Sequence, residues 1–210
     1  MKQESVDFAD VQGLLRFGYG KMKEASYALL RVENADAVRA WLRSTPVTNA
    51  VAMNPAPSTA LQIAFTVDGL RALGISPSVL GGFSPEFLVG MTEESRARRL
   101  GDIDANAPAH WDWGNAGWVP DLVVMFFAEP GGLAPFVDEH TGKTFSDAFT
   151  EMRWLKTANL DGIEPFGFTD GISQPRIDWA RERDPTQPQI DYSNIVALGE
   201  FLLGYPNEYN

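Results

Sequence analysis

The sequence predicts an α+β protein of the ferredoxin-like βαββαβ type, an antiparallel sheet with helices on one face. Three observations lead there. Apolar runs of strand length recur at residues 27–32, 60–65 and 121–128. Capped or amphipathic helical stretches lie between them. The alternation does not follow the strict strand–helix–strand repeat of a parallel sheet.

The elements follow in order. Tyr27-Ala28-Leu29-Leu30-Arg31-Val32 reads as a buried strand. Asn34 can cap a helix over residues 35–43, whose Ala37, Val38, Trp41 and Leu42 share one face at spacings of three and four. Pro46 lies just beyond its end. Residues 49–58 are rich in Asn, Pro and Ser and read as a loop. Ala60-Leu61-Gln62-Ile63-Ala64-Phe65 alternates and reads as a second strand. Thr66 then caps a short helix ending near Leu73, with Gly74 after it. Ser84-Pro85-Glu86 starts another helix, proline standing at its first position. Residues 92–100 are of mixed charge and read as a solvated helix or turn, and residues 101–119 as an irregular stretch holding Trp111, Trp113 and Trp118. Residues 121–128 give the strongest strand signal, and their unbroken apolar run predicts burial on both faces. Residues 131–153 are expected to be helical in part, around Phe145, Ala148, Phe149 and Met152, with a strand beginning at Trp154.

Composition narrows the function. The 210 residues suffice for a substantial core, and 44% hydrophobic with 21% charged residues is ordinary for a globular protein. A net charge of −11 repels phosphate backbones and anionic lipid, which argues against nucleic-acid and membrane partners. The absence of cysteine removes disulfides, thiolate metal sites and thiolate-ligated haem. Residues 1–7 lack the apolar run of a secretory leader, so a cytoplasmic location is the expectation.

Few residues carry chemistry on their own. His110 stands beside Trp111, and His140 lies in the polar stretch Asp138-Glu139-His140-Thr141-Gly142, read as a turn. Neither has a second histidine at metal-ligand spacing, so no metal ligand is assigned. Gly18-Tyr19-Gly20-Lys21 lacks the spacing of a phosphate loop, and no Gly-x-Ser-x-Gly elbow occurs. The tryptophans read first as packing or loop anchors and second as an electron relay from the surface. One segment stands apart: Glu164-Pro165-Phe166-Gly167-Phe168-Thr169-Asp170-Gly171-Ile172-Ser173-Gln174-Pro175. Two glycines flank an acid at fixed spacing among aromatics. Read alone, Asp170-Gly171 is a turn; glycines also let a backbone approach a flat ligand, which would present the Asp170 carboxylate over its face.

In this segment the chain resembles the DyP-type (dye-decolourising) peroxidases, whose hallmark is Gly-x-x-Asp-Gly. Other similar stretches occur in the family's order: Val11-Gln12-Gly13, Ala64-Phe65-Thr66 running into Gly69-Leu70-Arg71-Ala72-Leu73-Gly74, Gly82-Phe83-Ser84-Pro85-Glu86-Phe87, Arg98-Arg99-Leu100-Gly101-Asp102, Trp111-Asp112-Trp113-Gly114 and Gly199-Glu200-Phe201-Leu202-Leu203-Gly204-Tyr205. The resemblance covers nearly the whole chain. It implies haem b and a pair of ferredoxin-like domains in a dimeric α+β barrel-type arrangement. Residues 1–210 would be the N-terminal ferredoxin-like domain with the start of the connection to a C-terminal one. It further implies oxidation of bulky dyes and phenols, with hydrogen peroxide and an organic reductant as partners. Asp170 would be the catalytic acid–base, taking a proton from one peroxide oxygen and delivering it to the leaving one. Phe168, Asp170, Gly171, Ile172 and Ser173 would lie along the haem.

In the family, the histidine that holds iron and an assisting arginine come from the second half, and neither His110 nor His140 matches the histidine's place. The sequence therefore reads as a portion of a longer or split protein. The expectation is that without an axial ligand it would not turn over alone, and that it would self-associate through uncovered apolar surface. Two other readings stand beside this one: a non-catalytic ferredoxin-like binding or dimerisation module, and a peroxide-independent haem-binding relative.

Overall fold

A computed structural model describes residues 6–169, 171, 174–182 and 194–208. Four strands make one sheet in the order β2-β3-β1-β4: β1 (Glu24–Val32), β2 (Thr59–Phe65), β3 (Leu122–Ala128) and β4 (Phe149–Lys156). Every neighbouring pair is antiparallel. Helix α1 (Ala35–Ser44) connects β1 to β2. Four short helices lie between β2 and β3, namely α2 (Val67–Ala72), α3 (Pro77–Leu80), α4 (Pro85–Val89) and α5 (Glu94–Leu100). Helices α6 (Leu133–His140) and α7 (Lys143–Ala148) lead from β3 to β4. This is the ferredoxin-like βαββαβ topology, with residues 66–121 inserted where a hairpin turn would suffice.

The core explains the helices' positions. Ala28 and Leu30 of β1, Leu61 and Ile63 of β2, and Leu122, Val124 and Phe126 of β3 form one face of the sheet. Val38 and Trp41 of α1, Phe145 and Ala148 of α7, and Phe136 and Val137 of α6 pack on that face. Trp41 meets Phe145 and Phe149 edge-on at 5.6 and 5.2 Å, and its indole N–H donates to the His140 carbonyl at 3.1 Å. Asn34 caps α1 as its sequence indicates, Oδ1 accepting from the N–H groups of Asp36 and Ala37. Thr66 and Ser84 cap α2 and α4 in the same way.

Four sequence expectations are corrected. β3 is not buried on both faces: Leu122, Val124, Phe126 and Ala128 are buried, while Val123, Met125 and Phe127 between them are only half-buried. The helices cover one side only, so an unbroken apolar run here reports a core face plus a partly covered second face. β2 does not alternate; Ala60, Leu61, Gln62 and Ile63 are buried in succession. Gln62 is accommodated because its amide N–H groups donate to the Thr48 and Leu61 carbonyls and the Tyr19 hydroxyl. Phe149 and Met152 belong to β4, which begins five residues before Trp154. Helical spacing of apolar residues in a short segment does not distinguish a helix end from a strand start. Lastly, His140 is the final residue of α6 and packs on the core instead of occupying a polar turn.

The chain divides into two units, the sheet unit of residues 19–48 and 52–158, and a second of residues 1–18, 49–51 and 159–210. The second unit holds β5 (Arg176–Ile177) and β6 (Ile195–Val196), which pair in parallel. Phe8 lies between the Trp179 ring, 5.4 Å away, and the Arg16 guanidinium, 3.8 Å from its centroid. The Asp178 carboxylate is buried and accepts from the Glu182 N–H. No helix among the described residues is long and apolar enough to cross a membrane.

Candidate functional site

Residues 163–169, at the start of the segment singled out by sequence, form a narrow hairpin in the second unit. The Gly167 N–H donates to the Glu164 carbonyl at 2.8 Å, closing a turn with Pro165 at its second position. The Glu164 N–H donates to the Phe168 carbonyl at 2.7 Å, and Ile163 pairs with Thr169. Gly167 has φ +86 and Gly171 has φ +81, a region that residues with a Cβ avoid. Apart from its chain neighbours, no described residue has an atom within 4 Å of where a Cβ would stand on Gly167. Phe166 is 90% and Phe168 73% exposed. Asp170, Ile172 and Ser173 lie outside the described residues. Among the expected site residues, Phe168 and Gly171 are described, and both are exposed.

Neither histidine is built as a metal ligand by its surroundings. His110 ends a 3₁₀ turn (Pro108–His110) and is exposed. The His140 ring packs 4.7 Å from Phe136 and edge-on to Phe126 at 6.4 Å. Both its nitrogens are buried, with no hydrogen-bond partner among the described residues. Among those residues no group of three or more His, Cys, Asp or Glu is placed to hold a metal ion.

Sequence reasoning missed a second feature. The insertion between β2 and β3 encloses a cleft of about 1000 Å³ in the sheet unit. Trp111, Trp113, Phe87 and Met91 line it, with Glu86, Asp112 and His110. Trp111 is fixed by its indole N–H, which donates to the Asn106 carbonyl at 2.9 Å, and by the Asn115 amide bonding its own carbonyl at 2.8 Å. The density of tryptophan in an irregular stretch was the available signal. It could not reveal that Phe87 and Met91 line the same cleft, because they come from a separate stretch of the chain.

No protein-family model matches the chain. A dye-decolorizing peroxidase from Mycena epipterygia is 28% identical over 211 residues, covering 96% of this chain and 37% of that protein. A solved fungal DyP-type peroxidase from Auricularia auricula-judae superposes with a TM-score of 0.74 at 23% identity, covering 99% of this chain and 45% of the other. A dye-decolorizing peroxidase engineered in its heme pocket for asymmetric sulfoxidation superposes with a TM-score of 0.73 at 22% identity, covering 97% and 44%. The chain spans about two fifths of the length of the curated relatives it matches. In sequence and in fold, then, nearly the whole of this chain is a homologue of the dye-decolorizing (DyP-type) peroxidases and corresponds to less than half of each.

Proposed function

We propose that this chain is the N-terminal ferredoxin-like portion of a haem b peroxidase, and that it carries the acid–base carboxylate, Asp170. The observation behind this reading is the Gly167-Phe168-Thr169-Asp170-Gly171 segment, whose two glycines adopt positive φ. Glycine lets a backbone approach a flat prosthetic group closely, and Phe168 is exposed in the same segment. Haem, when bound, supplies the redox iron that lets hydrogen peroxide serve as oxidant toward dyes, phenols and similar organic reductants. Phe168, Gly171, Ile172 and Ser173 would lie against it. Asp170 takes a proton from one peroxide oxygen and returns it to the other, so that the leaving oxygen departs as water. The reading assigns no iron ligand to His110 or His140. The first is exposed on the insertion, and the second has both nitrogens closed into an aromatic core. The ligand would come from a further part of the protein.

Substitution of Asp170 by Asn in the complete, haem-loaded protein tests this. Positioned acid–base groups contribute about 10²–10⁴-fold, so the reaction with peroxide, followed by stopped-flow absorbance of the haem, should slow by at least about 100-fold. An unchanged rate would make Asp170 a turn residue and favour a non-catalytic ferredoxin-like module.

A further inference from the structure

The cleft in the insertion carries an inference independent of the peroxidase reading. Its volume of about 1000 Å³ is that of a small-molecule site. Apolar side chains are left accessible along it, Val89 at 51%, Met91 at 50% and Trp113 at 39% exposure. The Trp111 ring is held in advance by its indole N–H donating to the Asn106 carbonyl, and its backbone by the Asn115 amide, which lowers the cost of ordering it around a ligand.

The charges along the cleft are unequal in their commitments. Its two cationic side chains have fixed partners. Arg71 is paired with Asp68 at 2.7 Å, and the Arg96 guanidinium donates to the Glu86 carbonyl at 2.9 Å and the Gly90 carbonyl at 3.5 Å. The carboxylates are less engaged. Glu86 has no side-chain hydrogen bond or ion pair among the described residues, and Asp112 meets Arg153 only at 3.6 Å. Arg71 and Asp68 cancel, and Glu86 and Asp112 outweigh Arg96, so the lining combines indole side chains with a net negative charge, the combination that attracts organic cations. The net charge of −11 adds a long-range pull of the same sign.

We propose that this cleft binds a planar aromatic cation, its ring against Trp111 and Trp113 and its charge toward Glu86. Binding needs neither haem nor peroxide, so it can fail while the peroxidase reading stands, and the reverse.

Equilibrium dialysis of the 210-residue chain against 9-aminoacridine, a cation at neutral pH, and acridine-9-carboxylate, its anionic counterpart, tests the proposal. The expected result is saturable one-to-one binding of the cation, about tenfold or more tighter than the anion. Trp113→Ala should weaken it by about tenfold, with far-UV circular dichroism unchanged. Glu86→Gln, an exposed and nearly isosteric change, should remove most of the preference for the cation. Three outcomes overturn the proposal. One is no saturable binding up to millimolar dye. Another is a cation preference that survives Glu86→Gln, which would assign it to net charge alone. The third is a dimer in sedimentation that excludes the dye, which would give the cleft to a second copy of the chain.

Discussion

Gly167 and Gly171 show what a single residue decides here. A turn needs only one left-handed position, and the Glu164–Gly167 hydrogen bond already accounts for Gly167. Gly171 repeats the positive φ four residues later. That repetition is legible in sequence as Gly-x-x-Asp-Gly. His140 teaches the opposite lesson. Its neighbours Asp138, Glu139 and Thr141 made the stretch look solvated, yet the ring sits among Phe126 and Phe136 with both nitrogens unpaired among the described residues. A buried polar group without a partner costs about 1–3 kcal/mol. Replacing it with a ring of similar size that needs no partner should stabilise the fold. His140→Phe is expected to raise the urea midpoint, by about 1 kcal/mol of unfolding free energy. A lowered midpoint would show that the imidazole is satisfied after all.

Among the elements, local signals located helices better than they located their neighbours. Asn34, Thr66 and Ser84 all cap as their sequence positions indicate, because capping is settled within three residues. The start of β4 was not legible: Phe149 continues the apolar spacing of α7 and leaves the helix only because it pairs with Val32. Gly69 illustrates a contact between elements that no local signal carries. A Cβ there would lie 1.9 Å from the Asp121 carbonyl oxygen, since α2 packs directly on the chain entering β3. The same junction is stitched by the Thr66 N–H donating to the Asp121 carbonyl, and by the Val32 N–H donating to the Asp121 carboxylate at 2.7 Å. Backbone cannot yield as a flexible side chain can. Gly69→Ala should therefore destabilise by roughly 3 kcal/mol or more, visible as a lowered thermal midpoint. A change below about 0.5 kcal/mol would mean that α2 shifts freely.

For the whole molecule, the sheet's two faces have different fates. One is covered by α1, α6 and α7, while on the other Phe127 rests against Tyr19 and Tyr27 at 5.4 and 5.9 Å. Burial there pushes the Tyr19 phenol up to about 12. The unfolded phenol ionises near 10, so between these values the folded protein holds a proton that the unfolded chain has released. The stability from this group is complete below pH 10 and is lost as pH rises through about 12. Urea midpoints should therefore fall between pH 9.5 and 11.5, and part of that fall should vanish in Tyr19→Phe. An identical pH profile in the variant would exclude Tyr19 as its source. Gln62 keeps the Thr48 and Leu61 carbonyls in that variant, so the test does not strand a buried amide.

The amino-acid sequence by itself determined the class of the fold, the caps of its helices, and a glycine-flanked acid segment whose peroxidase role is the proposal. These are written in short-range periodicity and local backbone preference, which a chain carries wherever it goes. Tertiary structure alone decided that β3 has one fully buried face, that His140 joins the core, that Gly69 must lack a side chain, and that Trp111, Trp113, Phe87 and Met91 line one cleft. Each of those depends on a partner distant in sequence, and an apolar side chain does not specify which other apolar surface will bury it. Asp170 rests on sequence: its place between Gly167 and Gly171 is what gives its carboxylate a proposed task.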